Sequence, residues 1–177
     1  MKVYLLQHGE AMPKEKDLRR PLSYKGIEEI RKVIAFLAKN IDLSQTVNVY
    51  HSGKLRAQQT ADAFAGELSL APPLEIAGLL PLDDPQIWAS RLNASDEDTM
   101  LVGHLPHLAR LAALLISGDQ EKEILRFRMG GVAALERNES GWWSVSWMVI
   151  PGLFKESAGE DDELDMEDLE FISRLTI

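Results

Sequence analysis

Cysteine is absent from the sequence, which excludes disulfides, thiolate-bound zinc and a cysteine nucleophile. Long apolar runs are missing as well. The N-terminus offers only residues 3–6 before Gln7 and His8, far short of a signal-peptide core or a membrane span. The expected location is therefore the cytoplasm, with no membrane association. A basic surplus is also lacking. The net charge is −9, and residues 155–177 hold nine acidic and two basic side chains, so that segment carries −7 and residues 1–154 carry −2. A nearly neutral body has no basic footprint for nucleic acid.

What remains is a chain of 177 residues, 45% hydrophobic and 27% charged, the size and composition of one globular domain. We expect that domain over residues 1–154 and an acidic C-terminal tail over 155–177. Within the tail Leu164, Met166, Leu169, Ile172 and Leu175 could line a weak amphipathic helix, but the charge balance favours a solvated or disordered segment.

Apolar residues and turn signals alternate along the body. Residues 2–7 read as a buried strand and 13–20 as a polar loop. Ser23 is a plausible N-cap for a helix whose apolar positions Ile27, Ile30, Val33, Ile34 and Leu37 recur at three and four residues. A β-branched strand follows at 46–50, a second helix at 52–68, and a weak strand near 74–76. Asp84-Pro85 pairs an N-cap with proline at the first helical position. An apolar strand at 99–102 leads through Gly103-His104 into a helix over 107–116. Two last strands, 131–137 and 142–150, flank Asn138-Glu139-Ser140-Gly141 and predict an antiparallel hairpin. This alternation predicts a three-layer αβα sandwich around a mostly parallel sheet, antiparallel toward its C-terminal edge.

Three strand-to-helix junctions hold distinctive polar groups: Gln7-His8-Gly9, His51-Ser52 through Arg56, and Gly103-His104. Strand ends in parallel sheets form the floor of a ligand crevice, and Gly9 permits close backbone approach. Ser52, Arg56 and Thr60 are spaced by four, which on a helix puts them on one face. Taken singly each feature has a plain structural reading, Arg56 as a surface arginine, His8 as a hydrogen-bonding residue, His104 as a cap or core residue. Taken together, two histidines and an arginine make poor metal ligation because the guanidinium opposes a cation. They suit a phosphoryl group, which a neutral imidazole attacks while positive charge steadies the equatorial oxygens.

In order and spacing, Leu6-Gln7-His8-Gly9-Glu10, Arg20-Pro21-Leu22-Ser23-Tyr24-Lys25-Gly26, His51-Ser52-Gly53-Lys54-Leu55-Arg56-Ala57-Gln58-Gln59-Thr60 and Leu101-Val102-Gly103-His104-Leu105-Pro106 resemble the motifs of the histidine phosphatase superfamily, especially its short SixA-type phosphohistidine phosphatases. The resemblance spans about residues 1–151. It implies His8 as a nucleophile that forms a transient phosphohistidine, Arg56 as a phosphate clamp and His104 as the second histidine of the pocket. Gly9, Ser52 and Arg20 would stand at the pocket rim. His51 and His107 match no catalytic position.

The resemblance also implies no metal and no organic cofactor. The substrate would be a phosphohistidine-bearing protein, such as a phosphotransfer domain, or a small phosphorylated molecule. One departure is Gln7, where the family pattern has arginine. A glutamine amide donates neutral hydrogen bonds about half as strong as charge-assisted ones. The larger branches also supply a carboxylic general acid, for which Asp83 is only a poor match in the stretch 79–84. A labile phosphorus–nitrogen bond needs less help from an acid, which favours phosphohistidine as substrate. The alternatives are a phosphatase of small phosphate esters, with Asp83 or Glu10 as acid, and a phosphate-binding protein with little turnover.

Overall fold

The computed structural model describes residues 1–154 and Phe171. The strands are β1 (Lys2–Gln7), β2 (Thr46–His51), β3 (Leu74–Glu75), β4 (Asp98–Gly103), β5 (Val132–Arg137) and β6 (Trp143–Val149), and the helices are α1 (Tyr24–Asn40), α2 (Leu55–Glu67), α3 (Pro85–Asn93) and α4 (His107–Ser117). They build one six-stranded sheet in the order β3-β2-β4-β1-β5-β6. Strands β3, β2, β4 and β1 run parallel, while β5 and β6 are antiparallel. The α/β sandwich expected from the alternation is the fold observed.

Side-chain alternation divides the core into two. Tyr4, Leu6, Met100, Val102 and Val132 pack with Ile30, Val33, Leu37, Ala57 and Ala61 of α1 and α2. Val3, Leu5, Leu101, Ala133 and Leu135 pack on the opposite face with Trp88, Leu92, Leu108 and Leu111 of α3 and α4. The sheet is thus covered on both faces, as its near-continuous apolar strands require. Arg137 ties β5 to the end of α3 by donating to the carbonyls of Leu92, Asn93 and Ser95 at 3.1, 2.6 and 2.7 Å, acceptors that a helix terminus leaves free.

This topology creates the crevice. Strands β1 and β4 lie side by side in parallel register, with Gln7 opposite Gly103. The chain leaves β1 toward α1 on one face and leaves β4 toward α4 on the other. Adjacent strands whose connections part to opposite faces form a topological switch point, where α/β sheets open a binding crevice at the carboxyl edge.

Local signals hold at several junctions. The Ser23 side chain accepts from the Gly26 amide and caps α1, and Asp84 caps α3 ahead of Pro85. The second helix is shorter than its sequence pattern suggests, beginning at Leu55 rather than Ser52. Gly53 takes a left-handed φ of +77°, and its amide donates to His51 Nδ1 at 3.1 Å, a turn that excludes Ser52 from the helix. Of the expected tail, only Phe171 lies among the described residues. It is buried in the α1 layer, with the Arg31 guanidinium 5.3 Å over its ring. The solvated-tail expectation does not hold at that position, and the remainder of 155–177 lies outside the described residues.

Gly26 is the tightest joint beneath the crevice. A β-carbon there would collide with the backbone of Glu10, including its carbonyl oxygen and nitrogen. Alanine gains about 1 kcal/mol of helix propensity, but overpacking against rigid backbone costs about 1–3 kcal/mol or more. Gly26→Ala is expected to lower the urea unfolding midpoint, and an unchanged or higher midpoint would show that α1 can retreat without cost.

Candidate active site

His8 leaves the end of β1 and is held from both sides. Its amide donates to the Gly103 carbonyl of β4 at 3.2 Å. Its ring Nδ1 lies 2.7 Å from the Gly9 carbonyl, an acceptor only, so Nδ1 carries the proton and Nε2 keeps its lone pair. The Arg56 side chain donates from Nε to that Nε2 at 3.1 Å. Both contacts select the same tautomer, with the unprotonated nitrogen facing the guanidinium.

His104 enters from the end of β4. Its ring lies 4.8 Å from that of His8, centroid to centroid, tilted by 59°. Its Nε2 pairs with Ser52 Oγ at 2.7 Å, and its Nδ1 is buried without a protein partner. The sequence-derived trio of His8, Arg56 and His104 therefore meets at one place, with Ser52 beside it. At the start of α4 the Leu108 amide donates to the His104 carbonyl at 2.9 Å.

Gly9 plays a different part from a pocket donor. Its amide donates to Thr60 Oγ1 at 3.1 Å, and the Thr60 hydroxyl donates to the Arg56 carbonyl at 2.6 Å. Thr60 thus clasps the β1 exit to the turn of α2 that bears Arg56. Sequence reasoning placed Thr60 on the Arg56 face but missed this clasp, whose only local signal is the spacing of four. A β-carbon on Gly9 would press on Leu22 and Ile30 at 3.0 and 3.1 Å, so glycine serves close packing there. Gln7 is buried, with its Oε1 unpartnered.

Arg20 adds a second guanidinium. Its Nε donates to the Met12 carbonyl at 3.2 Å, and its charge acts on both His8 and Arg56. Neither Arg20 nor Arg56 forms an ion pair among the described residues. Of the two carboxylates proposed as acids, Asp83 accepts from the Leu80 amide at 2.8 Å and Glu10 from Ser23 Oγ at 2.9 Å. Glu10 also lies 3.7 Å from Lys25 Nζ. Among the described residues no group of three histidine or acidic side chains could hold a metal ion, and no helix is long and apolar enough to cross a membrane.

Burial dominates the electrostatics. It pushes His8 down to about 4, helped by Arg56 and Arg20 and opposed by the Gly9 carbonyl. It pushes His104 to about 3, with His8 and Arg56 adding to the effect. His51 and His107 are lowered for the same first reason. All four imidazoles are thus neutral at pH 7. On unfolding they regain their ordinary value near 6.5 and bind more protons. Stability is therefore fully present above about pH 6.5 and declines as pH falls toward the folded values. The urea midpoint is expected to drop steadily from pH 7 to pH 5, and a midpoint that rose over that interval would contradict the burial of neutral histidines.

Comparison with known proteins follows the same line. No family model matches the sequence, and no curated protein matches it. Among solved structures, the protein histidine phosphatase SixA complexed with tungstate shares 26% identity, with TM-score 0.75, over 88% of this chain and 100% of its own. An alpha-ribazole phosphatase from Shigella flexneri shares 18% identity with TM-score 0.69, over 89% of this chain and 100% of its own. A phosphoserine phosphatase mutant from Entamoeba histolytica shares 16% with TM-score 0.58, over 83% of this chain and 95% of its own. The last two show the shared fold. In fold, the chain has SixA phosphohistidine phosphatases and related members of the histidine phosphatase superfamily among its structural neighbours.

Proposed function

We propose that the protein is a metal-independent phosphatase that removes the phosphoryl group from phosphohistidine on a protein, through a covalent intermediate on His8. The observation that carries this reading is a neutral imidazole whose Nε2 lone pair faces an arginine. Similarity to a protein histidine phosphatase supports it.

In the first step His8 Nε2 attacks phosphorus, and the bond from phosphorus to the substrate imidazole nitrogen breaks. The departing imidazole takes up a proton from solvent. Arg56 turns its donors from Nε2 to the equatorial oxygens, and His104, steadied by Ser52, donates beside it. Gln7 and Arg20 border the same group. In the second step water attacks phosphorus, returning free His8 and phosphate. An alkoxide leaving group would need a proton at the moment of departure, and Asp83 is only a poor match in the sequence for the acid that would give it. The lability of a phosphorus–nitrogen bond, which needs less help from an acid, favours phosphorus–nitrogen substrates over esters.

A phosphohistidine peptide and an aryl phosphate, offered separately with base quenching to preserve phosphohistidine, test the reading. The peptide is expected to turn over faster and to label the protein. His8→Ala should abolish label and turnover together, since no other motif-matched nucleophile is present. His104→Ala should lower kcat by about 10²–10³ while retaining binding, the scale for losing one donor to a developing charge. Faster ester turnover would move the protein to the small-molecule phosphatases, and undiminished labelling of His8→Ala would move the chemistry elsewhere.

A further inference from the structure

We propose that His51 is a positioning residue for the second histidine of the pocket, its ring holding the turn that aims the Ser52 hydroxyl at His104. The inference deepens the phosphatase reading and rests on it for the reaction that His104 serves.

A serine just ahead of a helix ordinarily accepts from an amide of the first turn and caps it. Here Lys54 is the N-cap of α2, with no side-chain hydrogen bond to the helix. The Ser52 hydroxyl lies 2.7 Å from His104 Nε2 instead. Both residues are buried, so little water competes for the contact. A hydroxyl that could turn toward the helix keeps this partner only if the backbone beneath it is fixed.

His51 fixes it. The Gly53 amide donates to His51 Nδ1 at 3.1 Å, a bond across two residues of the kind that asparagine and aspartate side chains make in tight turns. The bond closes around Ser52 and leaves Gly53 at its φ of +77°. The ring itself hangs from a paired strand end. His51 stands opposite Val102 of β4 and Glu75 of β3, and its carbonyl accepts from the Ile76 amide at 3.0 Å. Because Nδ1 accepts, the imidazole proton sits on Nε2, the reverse of His8.

The acceptor requires a neutral ring, since protonation would put an N–H on Nδ1 and end the bond to Gly53. Burial of the His51 ring opposes that charge and outweighs the carboxylates of Asp62 on α2 and Glu75 on β3, which favour it. The turn is therefore kept closed at neutral pH. His51 acts through Ser52, and Ser52 acts through His104.

The test compares wild type, His51→Ala, His51→Asn, Ser52→Ala and the double variant His51→Ala/Ser52→Ala. Each is assayed for kcat and KM on a phosphoramidate, and the nitrogen-15 signals of its imidazole rings are recorded. Asparagine offers an acceptor to the amide two residues on, so His51→Asn keeps the turn while removing the ring. His51→Ala should lower kcat about two- to tenfold with KM little changed, the scale of one neutral hydrogen bond. His51→Asn should recover most of that loss. In the Ser52→Ala background His51→Ala should cost almost nothing more, because the two residues act in series. The His104 signals should move in His51→Ala toward their positions in Ser52→Ala and return in His51→Asn. An equal loss of kcat in His51→Asn and His51→Ala would assign the role to the bulk or charge of the ring and overturn the proposal. So would full additivity with Ser52→Ala, or unmoved His104 signals in His51→Ala. If His51→Ala does not fold, His51→Leu, similar in size and without an acceptor, takes its place in the same comparisons. Absence of phosphoramidate turnover in the wild type, with the His104 signals still following His51 and Ser52, would sink the phosphatase reading and leave the link from His51 to His104 standing.

Discussion

The contact from His8 Nδ1 to the carbonyl of the next residue, Gly9, governs the site. It consumes the imidazole proton on the side away from the pocket and so leaves Nε2 as a base and nucleophile. Everything nearby serves to keep that geometry. The Gly9 amide is pinned to Thr60, Thr60 to the Arg56 carbonyl, and the Arg56 side chain to Nε2. The result is a closed circuit from strand to helix and back to the same imidazole. The His8 amide bond to Gly103 adds the neighbouring strand. A ring held by its own backbone on one edge and by a guanidinium on the other has little freedom left, which is the preorganisation that transfer to phosphorus requires.

The circuit works because of where the sheet puts it. Strands β1 and β4 could pair in the same register in many α/β folds, but here the chain leaves them to opposite faces. The parting loops open a crevice with two buried histidines on its floor. Burial withholds water from them and keeps both neutral. That state suits the proposed nucleophile, while positive charge beside the His8 ring is supplied by Arg56. Nucleophile and charge are thus supplied by different side chains, and lower pH costs the protein stability before it protonates His8.

Much of this was legible in the sequence, and the reasons differ from residue to residue. His8 and His104 stood out because each follows an apolar strand whose end faces a crevice in a parallel sheet. Arg56 stood out by its spacing within a helix. Ser23 and Asp84-Pro85 announced their helix starts through capping chemistry that acts over three residues. What stayed hidden depends on distant partners or on backbone geometry. The left-handed turn at Gly53 moved the start of α2 past Ser52, although Ser52 still reaches His104. The clasp between Gly9 and Thr60 joins residues 51 positions apart, beyond any local pattern. The engagement of Asp83 as a turn acceptor, and the burial of Phe171 against α1, likewise arise only once the chain is folded.

The central claim is that His8 Nε2, Arg56 and His104 form one phosphoryl-transfer site. A crystal structure with orthovanadate, which adopts the five-coordinate geometry of the transferring group, tests it most directly. The account predicts vanadium bonded to His8 Nε2, with equatorial oxygens on Arg56 and His104 and the Arg56 Nε contact to the ring released. Vanadate bound away from His8, or bound there with the Arg56–His8 hydrogen bond intact, would contradict it.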